Sequence, residues 1–442
     1  MKGRRIIRSG RADSYSRPGF LEAARVVNSE FVEWAKSHTG HKFHACLCDP
    51  SYGYHFMGAK WDDPRQMTRN QAHSYLPPGH RMTTVEKNIA FQNAAWQWGE
   101  AMLPRLFPGA IILMFGGTRM FEWLSTGMQM AGFEHWDTFC WLQGEGFPKA
   151  QDISKLIDKA NGDQRGEVVS ISSGPNHRRY QGERYGETRQ TTFGTVQDQP
   201  LRIAPGSPAS YPWSGHKTPA LKPAWEPILC FRAPRNGMTH AELALQFGTG
   251  CLNIEGGRIG IDMISTHNAP AGAFAGGEPG RGSDTNSSKE RNGRYPTNVI
   301  LDEEAATLLG ERSRFFYCAK ASSWERDAGC EGLPLIKSGM SGGAQTHGEG
   351  YDRGQGVGLN RVIGRYNDHP CVKPLALTRH LATLLLPPTS VGSRRILVPF
   401  CGSGSEMIGA YQAGWDEIVG IEQDAHYCEI AKRRLDYWRK AS

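Results

Sequence analysis

No Cys-x-x-Cys pair occurs in this 442-residue chain, although it contains ten cysteines. Cysteines scattered in this way exclude a zinc ribbon or a disulfide framework as the organising feature, and a reducing cytosol is the expected compartment. Long apolar runs are also missing. None approaches the roughly 20 residues of a membrane span, so no membrane partner is expected. The first residues, rich in arginine, lack the apolar centre of a secretory signal. Charge of one sign is not extreme: the net charge of +7 fits a surface that follows phosphates without requiring one. What is present is 39% hydrophobic and 21% charged residues, a balance for a globular protein with long polar connections. The length allows about three domains.

The most informative stretch lies near the C-terminus, from Arg394 to Asp424. Ile396 to Val398 reads as a short buried strand stopped by Pro399 and a glycine turn. Met407, Ile408 and Tyr411 then recur at helical spacing up to Gly414, and Ile418 to Ile421 is a second apolar run. Glu422 follows the turn by about 20 residues, where nucleotide-binding α/β units place a carboxylate on a ribose hydroxyl pair. An ordinary strand-helix-strand turn has the same outline. With Gly402 and Gly404 as the first glycines of a dinucleotide fingerprint, the third position is Met407. A pyrophosphate site needs glycine there for close helix packing. An adenosine ligand without phosphates, such as S-adenosylmethionine, does not.

A second stretch, Lys42 to Asp49, reads as a strand running into Pro50, Ser51 and Tyr52. A carboxylate and an aromatic at the C-terminal end of a buried strand sit where open α/β sheets hold ligands. Proline fixes the backbone, so its carbonyl can face the crevice. Two acceptors and a stacking face are what a planar exocyclic amine requires; a tight turn with a capping aspartate is the plainer alternative. His44, Cys46 and Cys48 alternate onto one strand face, but no second ligand pair at zinc spacing accompanies them, so no metal is expected.

These residues carry a resemblance. Asp49-Pro-Ser-Tyr52 resembles the Asp-Pro-Pro-Tyr motif of amino-group DNA methyltransferases, and Val398-Pro-Phe-Cys-Gly-Ser-Gly404 resembles their cofactor loop. His369-Pro-Cys-Val-Lys-Pro374 resembles the motif that precedes that loop. The catalytic motif comes first, then a long insert, then the cofactor loop, which is the permuted order of the β class. Between the motifs, an apolar strand (Ala110 to Phe115), a helix (Phe121 to Gly132), a further strand (Phe133 to Leu142) and Gly-Phe-Pro-Lys149 resemble the family's middle motifs. Phe315 to Lys320 resembles a family segment near the cofactor side.

The resemblance implies an α/β fold: a Rossmann-like, mostly parallel sheet of the S-adenosylmethionine-dependent type with a large inserted target-recognition region. The expected organisation is a basic arm over 1–18 and a catalytic half over 19–160. An insert follows over 161–365, with part near 220–232 returning to the sheet, and a cofactor-binding half over 366–442. Methyl transfer to the N6 amine of adenine in double-stranded DNA is implied. Asp49 and the Pro50 carbonyl would accept the amine hydrogens, and Tyr52 would stack on the extruded base. Phe400, Gly402, Ser403, Gly404 and Glu422 would hold the cofactor, with Lys373 facing its carboxylate. Ser51, Trp141 and Phe147 are candidates for the base pocket, core packing being the plainer role for Trp141. Arg178, Arg179 and Arg184, interleaved with Tyr180 and Tyr185, are candidates for DNA phosphates. The resemblance also allows a homodimer, a cognate restriction endonuclease and a nucleoid-associated place in a bacterial or phage-infected cell.

Three departures stand out. Ser51 replaces the second proline and is expected to loosen the turn. Val398 replaces the loop's usual aspartate, and Cys371 a threonine, which together point to weaker cofactor affinity. The rivals are N4 methylation of cytosine, methylation of RNA or of a protein amide, and a DNA-binding relic of the same fold. Other expectations are a helix over Phe20 to Trp34, strands over Leu252 to Ile261 and Tyr295 to Leu301, and glycine-rich connections over Gly272 to Gly293 and Lys337 to Gly358.

Overall fold

A computed structural model describes residues 24–54, 60–64, 82–144, 150–163, 168–171, 201–203, 207–267, 288–319, 323–338 and 363–441. Phe147, Arg178, Arg179, Arg184 and the 1–18 arm lie outside the described residues.

Among the described residues, nine strands form the central sheet. In chain order they are β1 (Ala24–Asn28), β2 (Phe43–Cys48), β3 (Leu106–Phe115), β4 (Glu134–Leu142), β5 (Trp225–Arg232), β6 (Val299–Asp302), β7 (Tyr317–Ala319), β8 (Arg395–Pro399) and β9 (Glu417–Glu422). Across the sheet they run β1-β9-β8-β2-β3-β5-β4-β6-β7. All pairs are parallel except those of β5, which is antiparallel to both β3 and β4. Among the described residues, the segment 161–365 therefore supplies three strands to the sheet: β5, within the 220–232 stretch, β6, which overlaps the strand expected over Tyr295 to Leu301, and β7, inside the Phe315 to Lys320 segment.

Helices cover both faces. Ala45, Leu47, Leu113 and Val398 pack with the helices Leu375–Leu385 and Ser405–Ala413; Cys46, Cys48, Ile112 and Leu397 pack with the helices Phe31–Ser37 and Thr84–Met102. Strands buried on both sides read as continuous apolar runs, which is why the Ile-Ile-Leu-Met run of β3 is legible. Thr83 and Glu86 close a capping box that starts the helix Thr84–Met102. No helix among the described residues is long and apolar enough to cross a membrane.

The positioning contact is β8 beside β2, with Ile396 opposite Ala45 and Leu397 opposite Cys46. It brings the two motif-bearing strands together with their carboxyl ends on one edge. The helix Leu375–Leu385 is held against Ser405–Ala413 at Gly409, where an added Cβ would lie 2.4 Å from Thr378 Oγ1.

Several expectations are corrected. Phe20 to Trp34 is not one helix: among its described residues β1 pairs with β9 along Ala24–Asn28, and a helix begins at Phe31 and runs to Ser37. The Asn28 side chain donates to Glu422 O and Gln423 O, so edge pairing overrides the helical spacing. Asn253 accepts from the Gly256 N–H and turns the chain, delaying the strand to Ile259–His267. That strand pairs with Ser288–Arg294, so the end of the Gly272 to Gly293 stretch is ordered as a hairpin. The strand expected from Tyr295 begins at Val299. Tyr317–Ala319, expected near the cofactor side, forms the sheet edge opposite β8 and β9. His44 accepts from the Arg395 N–H at 3.0 Å, while Cys46 and Cys48 are in the core.

Candidate active site

A cleft of about 2020 Å³ opens along the carboxyl edge of the sheet. Its walls include Asp49, Pro50, Ser51 and Tyr52 after β2, Gly117 to Arg119 after β3, Phe400 after β8 and Glu422 to Asp424 after β9. The crevice beyond the strand ends is the ligand site of open α/β sheets.

Four side chains converge at its wall: Asp49, Tyr52 and Glu226, which line it, and the buried Lys373 behind them. Lys373 Nζ lies 2.7 Å from Asp49 Oδ2, 2.9 Å from Glu226 Oε1 and 3.1 Å from Tyr52 Oη. Tyr52 Oη is in turn 2.7 Å from Asp49 Oδ1 and 2.5 Å from Glu226 Oε1. Burial disfavours the Lys373 charge, but Asp49 and Glu226 more than offset it and hold the ammonium above its ordinary range. Burial first, then Asp49 and Glu226, raise the Tyr52 phenol well above its usual value, so it remains a neutral hydroxyl. Behind Asp49, the carboxyl of Glu406 is pushed up to about 7 by burial and by the Asp49 charge.

The turn after β2 is firmly held. Asp62 accepts from the Ser51 hydroxyl, from Gly53 N–H at 2.7 Å and from Tyr54 N–H at 3.1 Å. Ser51 therefore does not loosen the turn as expected; its hydroxyl anchors it.

On the other side, Phe400 has a φ of 56° and packs against Phe31 and Trp98 with ring centroids 5.4 and 4.9 Å away. Glu422 accepts from Gly402 N–H at 3.0 Å and from Asp424 N–H at 2.9 Å, which ties the loop after β8 to the end of β9. Each of its oxygens keeps acceptor capacity toward the cleft. Burial raises the Glu422 carboxyl, and the two backbone bonds oppose that shift.

Not every candidate residue faces the cleft. Ser403 is buried and accepts from Arg434 through both its carbonyl, at 2.6 Å, and its hydroxyl, at 3.1 Å. Lys373 is engaged by the three oxygens around it, which lie on the catalytic side. Trp141 is 7% exposed, packs in the core opposite Ile300 on β6 and does not line this cleft. Aromatic faces in the cleft come instead from Tyr54, Trp61 and Trp225.

Two residues escape the sequence reading. Glu226 is the second residue of β5, between tryptophan and proline, with nothing but its strand context to mark it. Arg434 looks like one of several basic residues on the last helix, yet it is fully buried and also donates to Ser405 Oγ and Glu325 O. The preceding motif is pinned likewise: Arg326 donates to Asn367 O and His369 O.

The architecture is that of a doubly wound α/β protein with a ligand crevice built from two motif-bearing turns. No protein-family description and no curated protein sequence matches the chain. Among solved structures, it is similar to M1.HpyAVI in complex with SAM, at 13% identity over 93% of this chain and 99% of that one, with a TM-score of 0.38. It is also similar to the PvuII DNA methyltransferase, described as cytosine-N4-specific, at 9% identity over 95% and 92%, with a TM-score of 0.42.

Proposed function

We propose that this chain is a DNA methyltransferase that uses S-adenosylmethionine and modifies the N6 amine of adenine at a specific sequence. The observation that carries the reading is the meeting of the Asp49 turn and the Phe400–Glu422 loop in one cleft. The segment 161–365, beyond its sheet strands, is the proposed target-recognition region.

The residues present fit the cofactor. Carboxylates outnumber basic side chains in the cleft lining: Glu30, Glu33, Asp49, Asp62, Glu100, Glu226, Glu422 and Asp424 against Lys36, Arg119 and Lys222. Such a lining repels a pyrophosphate and suits a ligand with net positive charge. Glu422 would hold the ribose hydroxyls, with Phe31 and Phe400 as apolar walls. S-adenosylmethionine supplies an electrophilic methyl group on a sulfonium.

The chain's own part is to make a poor nucleophile reactive. The lone pair of an aromatic amine is delocalised into the ring. Asp49 and the Pro50 carbonyl accept its two hydrogens, bias the nitrogen toward tetrahedral geometry and fix its direction of attack. Asp49 can do so while bonded to Lys373 and Tyr52, because a carboxylate has about four acceptor sites. The aromatic cleft walls receive the extruded base.

The test is expression in a host lacking its own methylases, followed by long-read sequencing of modified bases. Methyladenine at one motif is expected, and Asp49→Ala should slow transfer by roughly a hundred- to thousand-fold while calorimetry still detects cofactor binding. Methylcytosine at N4 would replace adenine as the target. Absence of both modification and cofactor binding would sink the reading.

A further inference from the structure

The three-way contact of Asp49, Tyr52 and Glu226 exceeds what holding an amine requires. Tyr52 Oη stands 2.7 Å from one carboxylate and 2.5 Å from the other, yet a phenol has one hydrogen to give. Rotation of the hydroxyl switches the bond between the two carboxylates. This is the arrangement of a proton relay.

We propose that Tyr52 and Glu226 carry away the proton released when the amine held by Asp49 is methylated. The inference rests on the methyltransferase reading and deepens it. Once the amine nitrogen has gained a methyl group, it holds one proton too many. That proton passes to Asp49 Oδ1 as an amine N–H bond breaks. Asp49 Oδ1 hands a proton to Tyr52 Oη, and the phenolic hydrogen of Tyr52 moves to Glu226 Oε1. The net change is one N–H bond lost and one O–H bond gained at Glu226, which then releases the proton to water.

Burial gives the path its direction. The Asp49 side chain is 10% exposed, and both its oxygens are already bonded within the site. The Glu226 side chain is 18% exposed and lines the cleft wall beside Gln143, whose amide donates to its second oxygen at 3.4 Å. Glu226 is therefore the outlet. Lys373 bridges both carboxylates from the opposite side and keeps the termini of the path in register. The titratable groups facing Glu226 are Asp49 and Tyr52 from the catalytic turn and Lys373 and Cys371 from the other motif. Acting through Tyr52, Glu226 is a positioning residue for protons and does not touch the base.

The test is single-turnover methylation of duplex DNA by the full chain, with cofactor affinity measured in parallel. Glu226→Gln should slow turnover by roughly ten- to a hundred-fold at unchanged cofactor affinity. Glu226→Asp should recover most of the rate, and the rate of Glu226→Ala should rise with added formate, a small acid that stands in for the missing carboxyl. A structural role predicts no formate response. Wild-type rates in Glu226→Gln, or a slow Glu226→Ala indifferent to formate, overturn the relay while the methyltransferase reading stands. A wild-type protein that methylates no DNA overturns both.

Discussion

The ammonium of Lys373 lies 2.7 Å from Asp49 Oδ2, joining residues 324 positions apart in the chain. Side-chain exposures of 7% and 10% make this a buried pair, and Glu226 at 18% is its third member. One positive charge thus separates two carboxylates that share a phenol.

Removing that charge leaves like charges facing each other in the cleft. Lys373→Met is expected to cost about 3–5 kcal/mol of folding stability, the range for breaking a buried ion pair. The lysine is held above its ordinary range, so its contribution is complete below the unfolded value and is lost only as pH rises beyond it. The deficit should be the same between about pH 7 and pH 9. Urea unfolding of both proteins across that interval measures it, and a loss well under 1 kcal/mol would show that solvent screens the cluster.

Gly402 combines a φ of 47° with a position where an added Cβ would lie 2.5 Å from His369 Nε2. The backbone carbonyl of His369 is pinned by Arg326, so the ring has little room to yield. Gly402→Ala should destabilise the fold by about 1–3 kcal/mol and weaken cofactor binding at least about tenfold. Gly414→Ala is the control: its φ of 94° is equally unfavourable, but nothing lies within 4 Å. Calorimetry should find near-normal cofactor affinity in the control alone.

His380 stacks on Tyr317 with ring centroids 3.8 Å apart, and its Nε2 has no hydrogen-bond partner among the described residues. Burial, then the charge of Arg379, lower it to about 4. The unfolded chain takes up a proton near pH 6.5 that the folded chain refuses until about pH 4, so stability falls with pH across that window. His380→Phe keeps the stack and removes the titration. The variant should lose up to roughly 3 kcal/mol less than wild type between neutral pH and pH 4. Parallel acid dependence in the two proteins would contradict it.

The parts of the site visible in the sequence are those fixed by local backbone needs. A proline after Asp49, glycines after β8 and an acid at the end of β9 each leave a mark at short range. β3, β8 and β9 are legible because burial on both faces demands uninterrupted apolar residues. Glu226 and Arg434 take their roles from contacts across the fold, and no local pattern separates them from surface charges; the motif around Lys373 marks that lysine but not its pairing with Asp49 and Glu226. Leu21, Ala24, Val27, Phe31 and Trp34 show the converse. Their spacing favours a helix, and the free edge of β9 recruits Ala24–Asn28 as a strand instead.

At the catalytic turn, rigidity resides in a pair of side chains, Ser51 and Asp62, rather than in a second pyrrolidine ring. A ring is self-sufficient, whereas a hydroxyl stiffens a loop only while its acceptor stays in place. Residue 62 is therefore answerable for the reactivity of residue 49 although it lies outside the four-residue motif. Among homologous chains, loss of the serine should coincide with freedom at the aspartate, and a proline restored at 51 should make Asp62 dispensable to the orientation of the turn.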